Sequence, residues 1–190
     1  MMNLNYFVSL RRKCSKMKMN RLHHVLVWLS RIQYCRGFGI QSPTDYRFVR
    51  YVINEHWPYY AYETLGQNDD WLRRKLGLLY FRLANERQPK TIVDWVGFHD
   101  YLQAGCQKAQ LVDDAEEVEL AVVSIKTDYH HLFEECNAES VVVFQDIYQY
   151  PEYWHCIEHD PRVTVAFDLY YCGIVMFDPK RKKQCYQINF

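Results

Sequence analysis

The sequence predicts an α/β domain, and three features of the segment from Ser140 to Phe190 indicate this class. Residues 141–144 are all apolar and mostly β-branched, which is typical of a strand buried on both faces of a sheet. A short helix with one apolar side is predicted from Pro151 to His159. Strand-like segments return at residues 163–177 and 184–190. A strand, a helix, a strand and a terminal hairpin are the closing unit of an α/β domain.

Bulk composition limits the size of the protein and the partners that it attracts. The 190 residues suffice for one domain with a substantial core but not for two. The 23 Lys and Arg residues balance the 23 Asp and Glu residues, so the net charge favours neither nucleic acid nor an anionic membrane. We therefore expect neither as a partner.

Cysteine usage indicates a reducing compartment. The seven cysteines are odd in number and form no C-x-x-C pair, so we interpret them as packing residues of a cytoplasmic protein. No apolar run approaches the ~20 residues that are needed to cross a bilayer. The cysteines are Cys14, Cys35, Cys106, Cys136, Cys156, Cys172 and Cys185.

Residues 1–16 are expected to be a disordered basic leader. Their charges follow the weakly apolar stretch from Tyr6 to Leu10, which is the reverse of the order in a secretory signal. Met17 and Met19 are alternative translation starts to Met1.

Residues 17–89 are predicted to form a helical cap on the core. Ser42 and Pro43 have the residue types of a helix start, as does Asp70. Each of three helices carries an apolar stripe that needs cover, so we expect all three to pack on the α/β core. The stripes are Leu22, Val25, Leu26, Leu29 and Ile32; Tyr46, Phe48, Val49, Val52 and Ile53; and Trp71, Leu72, Leu76, Leu79 and Leu83.

Residues 90–190 are predicted to form a truncated core of five main strands. The segment between Val96 and Leu120 has room for one crossover, which needs about a dozen residues. Helices are expected at residues 101–109 and 127–136. The strands are expected near residues 92–96, 119–125, 141–147, 163–177 and 184–190.

Three stretches together carry a family resemblance. They are Arg36 to Pro43, with its Gly-Phe-Gly and Ser-Pro; residues 58–62, Pro-Tyr-Tyr-Ala-Tyr; and Phe144 to Gly173. Together they resemble the class I S-adenosylmethionine-dependent methyltransferases, specifically a Bacteroidetes O-methyltransferase-like group, although Gln41 replaces the group's usual histidine. The resemblance covers most of residues 20–190 and is weakest in the middle of the chain.

The resemblance implies a Rossmann-like, three-layer sheet of the methyltransferase type, here shortened and degenerate. In this family the closing hairpin inserts its last strand antiparallel into the sheet. Residues 184–190 are therefore expected to lie between the strands at Val141 and Gly173.

The resemblance also implies a cofactor site after the first strand, where the family has an acid and a glycine-rich turn. Asp94 and Gly97 match these features, and Asp113 or Asp114 is the candidate acid for the cofactor ribose. Bulky side chains stand where the family has small ones, so we expect S-adenosylmethionine to bind weakly or not at all. The bulky residues are Trp95, Val96 and Phe98.

Asp146 is the candidate catalytic residue. Metal-dependent relatives hold a divalent ion with carboxylates after two neighbouring strands, and Asp146 matches the second of these positions. The first position has no acid other than Asp128, so no metal is expected.

His155 to His159 fits the zinc-peptidase pattern H-x-x-E-H, but a long supporting helix and a third ligand downstream are missing. We interpret this segment as a solvent-facing helix end.

These residues leave two functions open. The first is a degenerate methyltransferase-like protein with a non-catalytic binding or subunit role, whose partner is a protein or a small molecule of unknown identity. The alternative is an active small-molecule O-methyltransferase with a remodelled cofactor pocket.

Overall fold

A computed structural model describes residues 21–114 and 116–190. These residues form an α/β fold in which helices cover both faces of a mixed sheet. The predicted leader, residues 1–16, lies outside the described residues, as do residues 17–20 of the predicted cap.

The described residues contain six α-helices, and side-chain caps start several of them. The Asp70 carboxylate accepts a hydrogen bond from the N–H of Arg73 at 2.8 Å at the start of the longest helix. Ser42 accepts from the N–H of Asp45 at 3.3 Å, with Pro43 in the first turn. The helices are α1 (Arg21–Ser30), α2 (Pro43–Phe48), α3 (Trp71–Arg87), α4 (His99–Gly105), α5 (Tyr129–Glu134) and α6 (Pro151–Glu158).

Seven strands form one sheet. They are β1 (Thr91–Asp94), β2 (Gln110–Val112), β3 (Val118–Ser124), β4 (Cys136–Gln145), β5 (Val165–Asp168), β6 (Cys172–Met176) and β7 (Gln184–Gln187). Their order in space is β2-β1-β3-β4-β6-β5-β7. The first four strands in this order are parallel, β6 is antiparallel to both of its neighbours, and β7 is parallel to β5.

The prediction of five strands is wrong. The segment 163–177 is a hairpin of two strands, β5 and β6, and the short strand β2 was not predicted. The prediction that the last strand lies antiparallel inside the sheet is also wrong, because β7 is at the outer edge and β6 takes the inner place.

Burial explains why β6 and not β7 is inserted. All five residues of β6 are buried, as a strand covered by helices on both faces requires. In β7, Gln184, Cys185 and Gln187 are exposed, and such a polar strand is tolerated only at an edge. The turn between β5 and β6 contains Tyr170 in a left-handed conformation, with φ of 71°.

Alternation along the central strands divides the core into two layers. In β4, Val141 and Val143 face the layer of α2, α3 and α4, whereas Val142 and Phe144 face that of α5 and α6. The three-layer arrangement therefore follows from strands that are apolar on both faces.

Helix α1 contacts the rest of the protein through the side opposite its apolar stripe. His24 Nδ1 lies 2.8 Å from the Tyr171 hydroxyl, and Arg31 forms an ion pair with Asp168 at 2.9 Å. No residue of α1 is buried. The prediction that this stripe packs on the core is wrong, because its five residues are 50–66% exposed: Leu22, Val25, Leu26, Leu29 and Ile32.

The cysteines of the described residues are all free thiols, with Cys106 and Cys172 buried and Cys156 and Cys185 exposed. Among the helices that the structure describes, none has the length and apolar character needed to cross a membrane.

Candidate functional site

The four candidate residues all follow the carboxyl ends of parallel strands. Asp94 ends β1 and Gly97 lies in the turn after it, while Asp113 follows β2 and Asp146 follows β4. The order of strands along the chain reverses between β1 and β3. Open α/β sheets bind ligands at such a reversal, so this edge is the candidate site.

The Asp94 carboxylate is enclosed by the turn that follows it. Its Oδ1 accepts hydrogen bonds from the N–H groups of Val96 at 3.0 Å and Gly97 at 2.9 Å. Its Oδ2 accepts from the N–H of Phe98 at 2.6 Å, and His99 Nδ1 lies 3.4 Å away. The Asp94 side chain has no exposed surface. The N–H groups that a glycine-rich turn offers to an anionic ligand are therefore bound to the protein's own carboxylate.

Gly97 allows the turn to form. Its φ of +81° is strained for residues with a side chain, yet a Cβ added here would meet no atom within 4 Å. The Gly97 carbonyl oxygen accepts a hydrogen bond from Arg73 of α3. The Arg73 guanidinium lies 4.4 Å from the centre of the Phe98 ring, so α3 holds the turn through one residue.

Aromatic rings fill the space around the turn. Phe98 is buried and packs edge-to-face on Tyr80, with ring centres 4.8 Å apart. The Trp95 indole N–H donates to the Asp113 carbonyl oxygen at 2.7 Å. Asp113 therefore contacts the turn through its main-chain carbonyl group, and the residue itself is exposed to solvent.

Asp146 lies at a sharp turn, with a φ of +67°, and its N–H donates to the Tyr171 carbonyl at 2.8 Å.

Tyr80 of α3 was missed by the sequence analysis, although its buried hydroxyl has no well-formed hydrogen bond. Burial raises the pKa of Tyr80 well above its usual value, and Cys172 and the Asp146 and Asp94 carboxylates raise it further. In sequence Tyr80 is indistinguishable from its apolar neighbours on the helix.

One groove lies beside the candidate site, and a larger groove lies at the other edge of the sheet. A groove of about 400 Å³ lies beside the turn and is lined by residues that include Arg73, Gly97, His99 and Tyr101. A larger groove of about 1060 Å³ lies at the opposite, amino edge of the parallel strands. Its lining mixes acids and bases, including Glu119 and Arg87, and it is remote from the candidate site.

The H-x-x-E-H segment forms a cluster on the last turn of α6. The Glu158 Oε1 lies 3.2 Å from His155 Nδ1 and 3.6 Å from His159 Nδ1. One possible ligand atom of each of the three residues lies within 4.8 Å of the other two. Both histidines are exposed, as expected for a helix end, but the sequence analysis did not predict that all three side chains meet.

The basic run from Lys180 to Lys183 is partly engaged within the protein. Arg181 forms an ion pair with Asp45, and Lys183 Nζ donates to the carbonyl oxygens of Asp160 at 2.7 Å and Val163 at 3.1 Å. The ion pair with Asp45 offsets the charge of Arg181, and the two hydrogen bonds hold the Lys183 ammonium against the protein.

Comparison with known protein families finds no match, and comparisons with curated proteins and with solved structures also find none.

Proposed function

We propose that this chain is a methyltransferase-like protein that has lost S-adenosylmethionine binding and serves as a non-catalytic binding module or subunit. The likeness of residues 36–43, 58–62 and 144–173 to the methyltransferase group supports the family part of the proposal. The observation that carries the loss of function is the enclosed Asp94 carboxylate, which takes up three N–H groups of the turn.

Cofactor binding would require the closed turn to open. A cofactor carboxylate would have to replace Asp94 at three N–H groups, and hydrogen bonds to a charged group contribute about 1.5–3 kcal/mol each. If two of the three hydrogen bonds were lost and not replaced, the cofactor would bind at least about a hundredfold more weakly, since each ~1.4 kcal/mol changes a dissociation constant tenfold. The residues present therefore do not fit the cofactor.

The strand arrangement supports the loss of the cofactor site. The resemblance implied that residues 184–190 lie antiparallel inside the sheet, which is wrong, although another antiparallel strand, β6, occupies that place. In the family, further strand–helix units after the first crossover supply the ribose acid and the adenine wall. Here β2 is the edge strand of the described sheet, so no strand beyond it provides that wall.

The test is calorimetric titration of the full chain with S-adenosylhomocysteine, on a sample shown to unfold cooperatively on heating. We expect no binding tighter than about 1 mM, a free energy near −4 kcal/mol. A dissociation constant below about 50 μM would overturn the proposal.

The groove of about 400 Å³ beside the turn favours the second candidate, an active small-molecule O-methyltransferase. Its volume is within the range of about 300–1,000 Å³ that is typical of ligand sites. If this groove held a shifted cofactor, Arg73→Ala would abolish the binding seen in the titration.

A further inference from the structure

We propose that His155, Glu158 and His159 form a binding site for a divalent transition metal ion, with Zn²⁺ as the expected ligand. The two imidazoles are four residues apart, which places them on one side of the last turn of α6. The Glu158 carboxylate lies between them. Two imidazoles and one carboxylate are a known ligand set for Zn²⁺, with water completing the shell.

The separations of the ligand atoms suit this metal. With metal–ligand bonds of about 2.0–2.1 Å, neighbouring ligand atoms of a tetrahedral site are ~3.4 Å apart. The distances from Glu158 Oε1 to His155 Nδ1 and His159 Nδ1, 3.2 and 3.6 Å, lie on either side of this value. Metal binding through His159 Nδ1 would replace its hydrogen bond to the His155 carbonyl oxygen, which is 2.9 Å long.

The position of the site on the surface gives a metal ion direct access to the three side chains. The side chains of His155 and His159 are 70% and 55% exposed, so an ion has direct access from solvent. Glu158 is 18% exposed and therefore has fewer conformations to lose when it binds. The shared geometry of the three side chains is already formed in the folded chain.

The test is competition for Zn²⁺ between the full chain and a metallochromic indicator. His155→Ala and His159→Ala should each weaken binding at least about tenfold, since even indirect changes around a metal site cost 10–100-fold. His131→Ala, which removes an exposed histidine of α5, is the matched control and should leave the affinity unchanged.

The exposed thiols of Cys156 and Cys185 are the competing Zn²⁺ ligands. The Cys156→Ser/Cys185→Ser variant should therefore keep full affinity, and Co²⁺ should bind without a thiolate charge-transfer band. Equal affinity of the wild type and the His155→Ala/His159→Ala variant, or loss of binding in the serine variant, would overturn the assignment.

A second proposal rests on α1 and concerns the partner in the proposed binding role. We infer that the apolar stripe of α1 docks on the surface of an anionic lipid bilayer. The stripe, Leu22, Val25, Leu26, Leu29 and Ile32, is exposed along the whole helix. Trp28 flanks it and lines a groove together with Arg36 and Trp57, which is 73% exposed. Tryptophan is enriched where proteins meet the membrane–water interface.

Charge supplies the complementarity. Eight Lys and Arg residues and no Asp or Glu lie between Met1 and Thr44, although the whole chain has 23 of each kind. The balance is therefore +8 in this segment and 15 minus 23, or −8, in the remainder. Of these basic residues only Arg21 lies in α1, and the others precede or follow the helix in the sequence. An amphipathic helix with exposed leucine and tryptophan that is flanked in sequence by basic residues is typical of binding in the plane of an anionic membrane. The overall neutrality conceals this asymmetry.

The attachment of α1 limits the alternatives. His24 and Arg31 hold its polar side on Tyr171 and Asp168, so a protein groove cannot enclose the helix without breaking these contacts. A bilayer needs only the exposed side. A second copy of the chain carries the same excess of basic residues in this segment, so it offers no charge complementarity.

Vesicle co-sedimentation tests this inference, with phosphatidylglycerol/phosphatidylcholine vesicles and vesicles of phosphatidylcholine alone. We expect binding to the anionic vesicles that falls with added salt, and a loss of at least tenfold in Leu26→Glu/Leu29→Glu. Gln107→Glu/Lys108→Gln is the control, because it changes the net charge equally at exposed residues away from α1.

Absence of vesicle binding by the wild type, or equal binding by both variants, would overturn the inference. A dimer in light scattering that Leu26→Glu/Leu29→Glu dissociates, without vesicle binding, would assign the face to a second copy instead. Vesicle binding does not involve the cofactor, so a negative result would leave the proposed loss of cofactor binding unaffected. The inference rests on the proposed function only for the binding role that it gives to α1.

Discussion

At the scale of single residues, the Asp94 carboxylate stabilises the turn after β1 through hydrogen bonds that a neutral amide reproduces only in part. In Asp94→Asn an NH₂ group would face the N–H of Phe98 or of Val96 and Gly97, leaving at least one donor unsatisfied. We expect a loss of about 1–3 kcal/mol in the free energy of unfolding, measured with urea. Asp113→Asn, at an exposed residue, should change it by less than about 0.5 kcal/mol. Equal stability of the two variants would contradict a structural role for Asp94.

Lys75 gives a prediction for the pH dependence of stability. Its ammonium lies 4.9 Å from the centre of the Trp71 ring and 4.5 Å from that of Phe190. Burial, with a smaller contribution from Arg82, lowers the pKa of Lys75 from 10.5 to about 8. Between these values the unfolded chain holds a proton that the folded chain has lost, so Lys75 makes stability rise with pH.

The measurement compares urea unfolding of the wild type and Lys75→Met from about pH 7 to about pH 10. We expect the wild type to gain stability relative to the variant as the pH rises through the pKa of about 8. A constant difference between the two proteins would show that the burial of Lys75 does not affect its titration.

At the scale of elements, α3 supplies much of one core layer. Leu76, Leu79, Tyr80 and Leu83 are at most 2% exposed and belong to the same cluster as strand residues such as Val141. We expect a fragment of residues 90–190 to be insoluble, because it exposes the face of the sheet that α3 covers. A fragment of residues 21–190 is the control and should remain soluble. A soluble 90–190 fragment with cooperative unfolding would contradict this role of α3.

Element types could be predicted from the sequence where the pattern was long and the residues apolar. The run at Val141 and the stripe residues Leu76, Leu79 and Leu83 of α3 identified buried elements correctly because burial selects apolar side chains. Trp71, at the start of the same stripe, is 54% exposed. The position of β7 could not be predicted, since pairing depends on which strand needs cover on both faces. The three-residue strand β2 is too short to produce a periodic signal.

The candidate site was predictable in its position but not in its contacts. Asp94 and Asp146 were predicted to lie at one edge of the sheet, and they do, because parallel strands end on the same side. That the Asp94 carboxylate is closed off by N–H groups depends on backbone conformation, which a residue pattern does not give. Tyr80 and the orientation of α1 could not be predicted either, because each depends on which side of a helix contacts the sheet. A residue pattern does not give this orientation.

At the scale of the whole molecule, α1 and the segment that follows β7 meet on one side of the described fold. Asn189 donates to the Trp28 carbonyl at 3.0 Å, and Cys35 pairs with Asn189 in an isolated bridge. The helix with the exposed stripe is thus attached to the segment that follows β7 and to the turn between β5 and β6. The carboxyl edge carries a closed turn on one side and an attached helix with an exposed apolar stripe on the other. The proposed non-catalytic binding role rests on these two features.

The central claim is that Asp94 closes the turn after β1 to the cofactor. The NMR amide signals of Val96, Gly97 and Phe98 test it most directly. In ¹⁵N-labelled protein these three signals report whether a ligand reaches the N–H groups that Asp94 now holds. We predict that they stay in place when S-adenosylhomocysteine is added to about 1 mM. Shifts of all three signals that saturate below about 50 μM, a binding free energy near −6 kcal/mol, would contradict the account.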